Sequence, residues 1–195
     1  MTRHSILPLR TGWEPAASDH SDYPDNLPSD WRLTYLANEL RGVLVPASLW
    51  VGQPDVTLRC WRDDVHAGFR FVLEAPADLA PPAVERVRRQ LDTCFGGWLL
   101  PWQVVSPVWP EGPCYLDLGA DPRAIPDLGS LGSNEATGLA YWVPETARQD
   151  PRAARVWLEA LATTAAGRPA LALLGPESFA TVHHWQSLTE LLGLA

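Results

Sequence analysis

Apolar positions fall at two different spacings along this chain, and the spacing sorts its segments into strands and helices. Short apolar runs at 5–9, 43–45, 69–73, 138–143 and 170–174 read as strands, bounded by Pro, Gly or charged residues. Between them, Trp31, Tyr35, Leu36 and Leu40 form a stripe at three-to-four spacing behind the cap residues Ser29 and Asp30, which predicts a helix over 31–40. Val84, Val87 and Leu91 repeat that stripe after Pro81-Pro82, with Arg86, Arg88 and Arg89 turned outward, so 81–91 is a second helix. Val156, Leu158 and Leu161 mark a third over 151–164, and a last helix is predicted over 184–192. Residues 99–126 resist this sorting. Apolar pieces at 99–105 and 114–118 stand between prolines, which suggests a hairpin, and a Gly/Ser connection follows over 126–137. Alternation of strand and helix is the grammar of a parallel α/β sheet with right-handed crossovers.

Composition narrows the choice. A chain of 195 residues that is 46% hydrophobic can bury one good core and is short for two. The whole of 1–195 is therefore expected to be one domain, with an irregular insertion at about 99–137. A formal charge of -8 and a pI near 5.0 lack the clustered cations that phosphate neutralisation needs, which argues against nucleic acid as a partner. All 15 basic residues are Arg. Without Lys, Schiff-base chemistry, a Lys-anchored cofactor and a Walker-type phosphate lysine are excluded. Cys60, Cys94 and Cys114 are an odd set without Cys-x-x-Cys spacing, the pattern of reduced thiols. The first residues lack an apolar leader core, and no run approaches the ~18 apolar residues of a membrane span. These features predict a cytoplasmic protein with no membrane attachment and no cofactor.

Candidate chemistry is sparse. Of the 10 Trp, Trp13, Trp50 and Trp142 stand where a strand should meet its following loop, and indoles grouped there would stack on a sugar or base, or anchor a protein partner. Trp31, Trp61 and Trp157, on helices, are expected to fill the core. Glu14, Glu74, Glu145 and Glu177 follow strands, and two carboxyls facing each other at ~5 to ~9.5 Å would suit glycoside hydrolysis. Solvated loop positions are the plain alternative for each. His183 and His184 are adjacent, so they point apart on a helix, and no metal site is expected. Neither a Gly-x-Ser-x-Gly elbow nor a Gly-x-Gly-x-x-Gly fingerprint occurs.

Tyr23-Pro24, Leu27-Pro28, Trp31, Leu33, Tyr35 and Ala37, then Val43, Trp50, Pro54, Trp61, Phe69-Arg70-Phe71 and Ala75-Pro76, resemble the opening of the YecE-like family, domain of unknown function seventy-two. Residues 139–144 and 170–179 look like two later strands of that family. The resemblance implies a TIM-barrel-like fold, shortened here to an incomplete or distorted parallel β/α barrel, because the alignment reaches only a sixth strand near 191–195 where eight close the family's barrel. It also implies losses. Polar family positions fall on Val43 to Pro46, on Trp142, and on Ala172, Leu174 and Gly175, and a Lys is replaced by Glu74. Since chemistry in such barrels sits at the C-terminal strand ends, a non-catalytic protein is expected, acting by protein-protein or self-association through a Trp-rich acidic surface. Its ligand or partner would meet Trp13, Tyr23, Trp50, Glu74, Trp142 and Glu145. The alternative is a carbohydrate-active or related hydrolase with Glu74 and Glu145 as a catalytic pair at the barrel mouth.

Overall fold

Seven short strands pair in parallel and close on themselves. The computed structural model describes residues 5–15, 22–102, 110–124 and 137–195. The strands are β1 (Ile6–Thr11), β2 (Gly42–Val45), β3 (Arg70–Glu74), β4 (Phe95–Pro101), β5 (Cys114–Asp117), β6 (Gly138–Trp142) and β7 (Ala170–Leu173). They neighbour one another in chain order, and β1 pairs with β7 through Ile6 and Ala170 to Leu9 and Leu173. Between them run α1 (Arg32–Glu39), α2 (Ala47–Trp50), α3 (Asp55–Asp63), α4 (Pro81–Leu91), α5 (Glu145–Gln149), α6 (Pro151–Ala165) and α7 (Phe179–Leu191). Short 3-10 turns precede α1 at Ser29–Trp31 and β4 at Asp92–Cys94. No helix of the described residues is long and apolar enough to cross a membrane.

The barrel is therefore TIM-like, as expected, and departs from the eight-stranded plan by closing with seven strands, so of the incomplete or distorted forms expected the sheet is shortened without being left open. The two apolar pieces read as a hairpin are strands, but they run parallel. β4 and β5 are parallel neighbours, with Trp98 opposite Cys114 and Pro101 opposite Asp117, so this stretch builds part of the barrel wall. Of the 126–137 connection only Thr137 lies among the described residues. Nor is 191–195 a strand. Leu191 ends α7, and the carbonyl of Leu194 accepts the Ile6 N–H at 2.7 Å, below the first strand.

Pleat alternation divides the core in two. Leu9, Leu44, Val72, Leu99, Ala140, Leu171 and Leu173 fill the barrel interior, joined by Leu7, Tyr115 and Trp142. Val43, Val45, Phe71, Leu73, Trp98, Leu139, Tyr141, Ala172 and Leu174 point the other way and pack under the helices. A bulge between β3 and β4 keeps the faces in phase. Phe71 opposes Phe95 while Val72 opposes Gly97, so Gly96 is the extra residue that switches β4 from an outward Phe95 to an inward Gly97. Gly97 itself sits at φ +137°, with the Pro113 carbonyl 2.7 Å from where a Cβ would stand.

Candidate functional site

The inward alternation, carried one residue pair beyond the packed layer, gives the rim at the C-terminal strand ends. Thr11 follows Leu9, Glu74 follows Val72, Asp117 follows Tyr115, Trp142 follows Ala140 and Gly175 follows Leu173. Thr11, Glu74, Asp117 and Trp142 are thus the polar groups facing one another across the mouth, above an apolar plug. Short strands ending at these residues hold them on rigid backbone, where the register ties Glu74 to Leu99 and Asp117 to Ala140.

Asp117 is fully engaged: Oδ2 accepts the Trp142 indole N–H at 2.9 Å and Oδ1 accepts the Gly119 N–H at 3.1 Å. The indole is fixed by that bond and by packing on the interior apolar layer. Glu74 is exposed, and its Oε2 accepts the Ala47 N–H at 3.0 Å, leaving Oε1 free among the described residues. Thr11 has a buried hydroxyl with no partner among the described residues. Gly175, at φ +75°, accepts the Thr11 N–H on its carbonyl at 2.8 Å, and a Cβ there would meet nothing within 4 Å. Strands β3 and β5 lie two apart, about 10 Å between backbones, with Glu74 bonded on the β2 side and Asp117 on the β6 side. Such an arrangement can grip a hydroxylated molecule: carboxylates accept from its O–H groups and the indole covers a C–H face.

The residues expected from sequence scatter. Glu74 and Trp142 reach the mouth; Glu145 does not join them. It opens α5 on the outside, exposed and bonded to Gln149 at 2.8 Å, because Val143 turns back under the helices and carries the chain away from the mouth. The expected Glu74–Glu145 pair is replaced by Glu74 and Asp117. Glu14 and Glu177 pair with Arg32 and Arg148. Trp50 is 2% exposed, packed against Trp98 with its N–H on the Glu74 carbonyl at 2.9 Å, so it holds β3 and offers no stacking face. Tyr23 is buried and donates to the Trp13 carbonyl at 2.5 Å; burial pushes its phenol up to about 12. Trp13 meets Trp61 edge-on outside the strand ring. Trp157 is buried as expected, whereas Trp31 is 60% exposed, being on the far side of its turn from Leu33.

Two of the supposed losses also change meaning. Ala172 and Leu174 are buried under the helices, so neither faces this mouth. Asp117, Thr11 and the buried Arg10–Asp22 ion pair went unnoticed in the sequence; the one signal for Asp117 was its place at the end of the alternating Cys114-Tyr115-Leu116 run.

Comparison with solved structures matches this geometry to a known fold. A DUF72 family protein of Thermotoga maritima superposes with a TM-score of 0.64 over 96% of this chain and 100% of its own, at 8% identity. A DUF72 family protein of Enterococcus faecalis gives 0.60 over 97% of this chain and 96% of its own, at 10% identity. The chain has the DUF72 fold. No family model matches the sequence, and no curated protein is similar to it. At such identities the DUF72 likeness fixes the barrel and not its chemistry, which must be read from the rim.

Proposed function

We propose that the chain is a divergent relative of the DUF72 proteins whose barrel mouth binds a small polyhydroxylated ligand, such as a sugar or sugar acid. The observation that carries this reading is the convergence of Thr11, Glu74, Asp117 and Trp142 on one rim above an apolar plug, with Asp117 clamping the Trp142 indole at 2.9 Å. The reading descends from the carbohydrate alternative, with Asp117 in place of Glu145. Binding is the part the geometry supports, and a hydrolytic step would need one carboxyl kept protonated beside the other.

Association through a Trp-rich acidic face has less behind it. It rested on lost strand-end polar groups and on an open sheet; the sheet closes, and Trp50, Trp98 and Trp185 are buried. The exposed Trp31 is what still favours it.

Thermal-shift and calorimetric titration with a panel of pentoses, hexoses and hexuronic acids tests the proposal. At least one should raise the melting temperature, and the effect should vanish in D117A and fall in E74Q. A panel without a hit, or variants that bind as the parent does, would end this reading.

A further inference from the structure

A second concavity, of about 260 Å³, lies outside the strand ring between the Ser29–Trp31 turn and α3. It is lined by Trp13 and Trp61, whose ring centroids stand 4.9 Å apart at 76°, and by Leu33 and Val56. Ser29, Asp30, Thr57 and Asp64 add polar groups to the same wall. Neighbouring cations are already engaged: Arg62 with Asp63 at 2.7 Å, Arg32 with Glu14, and Arg59 with Gln90 at 3.1 Å. Among the described residues Asp30 and Asp64 have no cationic partner. The Asp64 carboxyl lies above the usual carboxylate range, first through burial, then through the negative charges of Asp63 and Asp30.

Indole faces and unpaired carboxylates in one pocket select for positive charge with an apolar body. An anion would be repelled. A second copy of the chain would press the same carboxylates, on a molecule of net charge -8, against each other. We infer that this pocket binds a small primary alkylammonium compound, its hydrocarbon part against Trp13 and Trp61 and its ammonium on Asp30 and Asp64. The site is separate from the mouth and stands or falls apart from it.

Cys60 provides the readout. It lines the pocket and is exposed, while Cys94 and Cys114 are buried, so alkylation of the native protein by iodoacetamide reports on this pocket. With n-butylammonium chloride as the probe, and sodium chloride matching ionic strength, Cys60 alkylation should slow and Trp fluorescence should change saturably. Neutral n-butanol, of similar shape, should act at least about tenfold more weakly. D30N and D64N should each weaken n-butylammonium by about fivefold with the melting temperature unchanged, and E74Q at the mouth should leave it unaffected. Equal action of n-butanol, an effect reproduced by sodium chloride alone, or an undiminished affinity in the folded D30N/D64N double variant would overturn the assignment.

Discussion

The Arg10 guanidinium, fully buried, stands 3.0 Å from Asp22, whose other oxygen accepts the backbone N–H of Phe179 at 2.7 Å. The pair joins β1, the segment ahead of the first turn, and the start of α7, with the Phe179 ring 5.1 Å from the guanidinium. Arg10 Nε has no partner among the described residues, which leave the network incompletely satisfied. Removing one member strands the other: D22A should cost about 3–5 kcal/mol in urea denaturation, and the double variant R10M/D22L considerably less. A double variant as unstable as D22A would mean that packing, not charge, sets the cost.

At the mouth, Asp117 and Trp142 should separate binding from stability. D117A releases the indole at a solvent-facing rim, so sugar affinity should drop about tenfold or more while stability changes by about 1 kcal/mol. E145Q should alter neither, since Glu145 is exposed and, among the described residues, accepts its side-chain hydrogen bond from Gln149. A titration of both variants in parallel distinguishes the rim from the outer helix.

Tyr115 lies over Gly138 inside the barrel, with Cδ1 only 2.4 Å from where a Cβ on Gly138 would sit. Neither the ring, packed on the interior layer, nor the adjoining Pro169 carbonyl can withdraw far. G138A should therefore destabilise by about 1–3 kcal/mol, and Y115L in the same chain should restore part of the loss, read as melting temperatures.

Alkaline pH should weaken the fold. Burial pushes the Cys114 thiol up to about 11 and the Tyr141 phenol up to about 12, the latter with help from Asp121. Both groups hold their proton more tightly folded than unfolded. Their contribution is whole below the ordinary values of 9.0 and 10.0 and disappears as pH climbs through the folded values. Denaturation midpoints should fall between pH 9 and 12, and C114S should flatten the lower part of that decline.

Strands buried on both sides announce themselves as unbroken apolar runs, which is why Val43 to Val45 and Ala170 to Leu173 were legible. β4 was not, because Phe95-Gly96-Gly97 carries the bulge and two glycines weaken any strand signal. β5 has only four residues and is preceded by a Gly-Pro step. Helix α3 hides for another reason: its Asp55 to Asp63 sequence is largely polar, and only Leu58 is fully buried. The site was half legible. Glu74 and Trp142 were found by position after a strand, but which way a side chain faces depends on a single residue of phase. That phase places Asp117 in the mouth and Ala172 and Leu174 outside it, and sequence spacing between strands does not reveal it.

The seam between β1 and β7 joins the first described strand to the last. During synthesis Ile6 to Leu9 must wait for Ala170 to Leu173 to emerge, keeping one row of backbone donors and acceptors unsatisfied while every other strand finds its neighbour in turn. The last seam to form is thus the one that Arg10 and Asp22 help to fasten from outside.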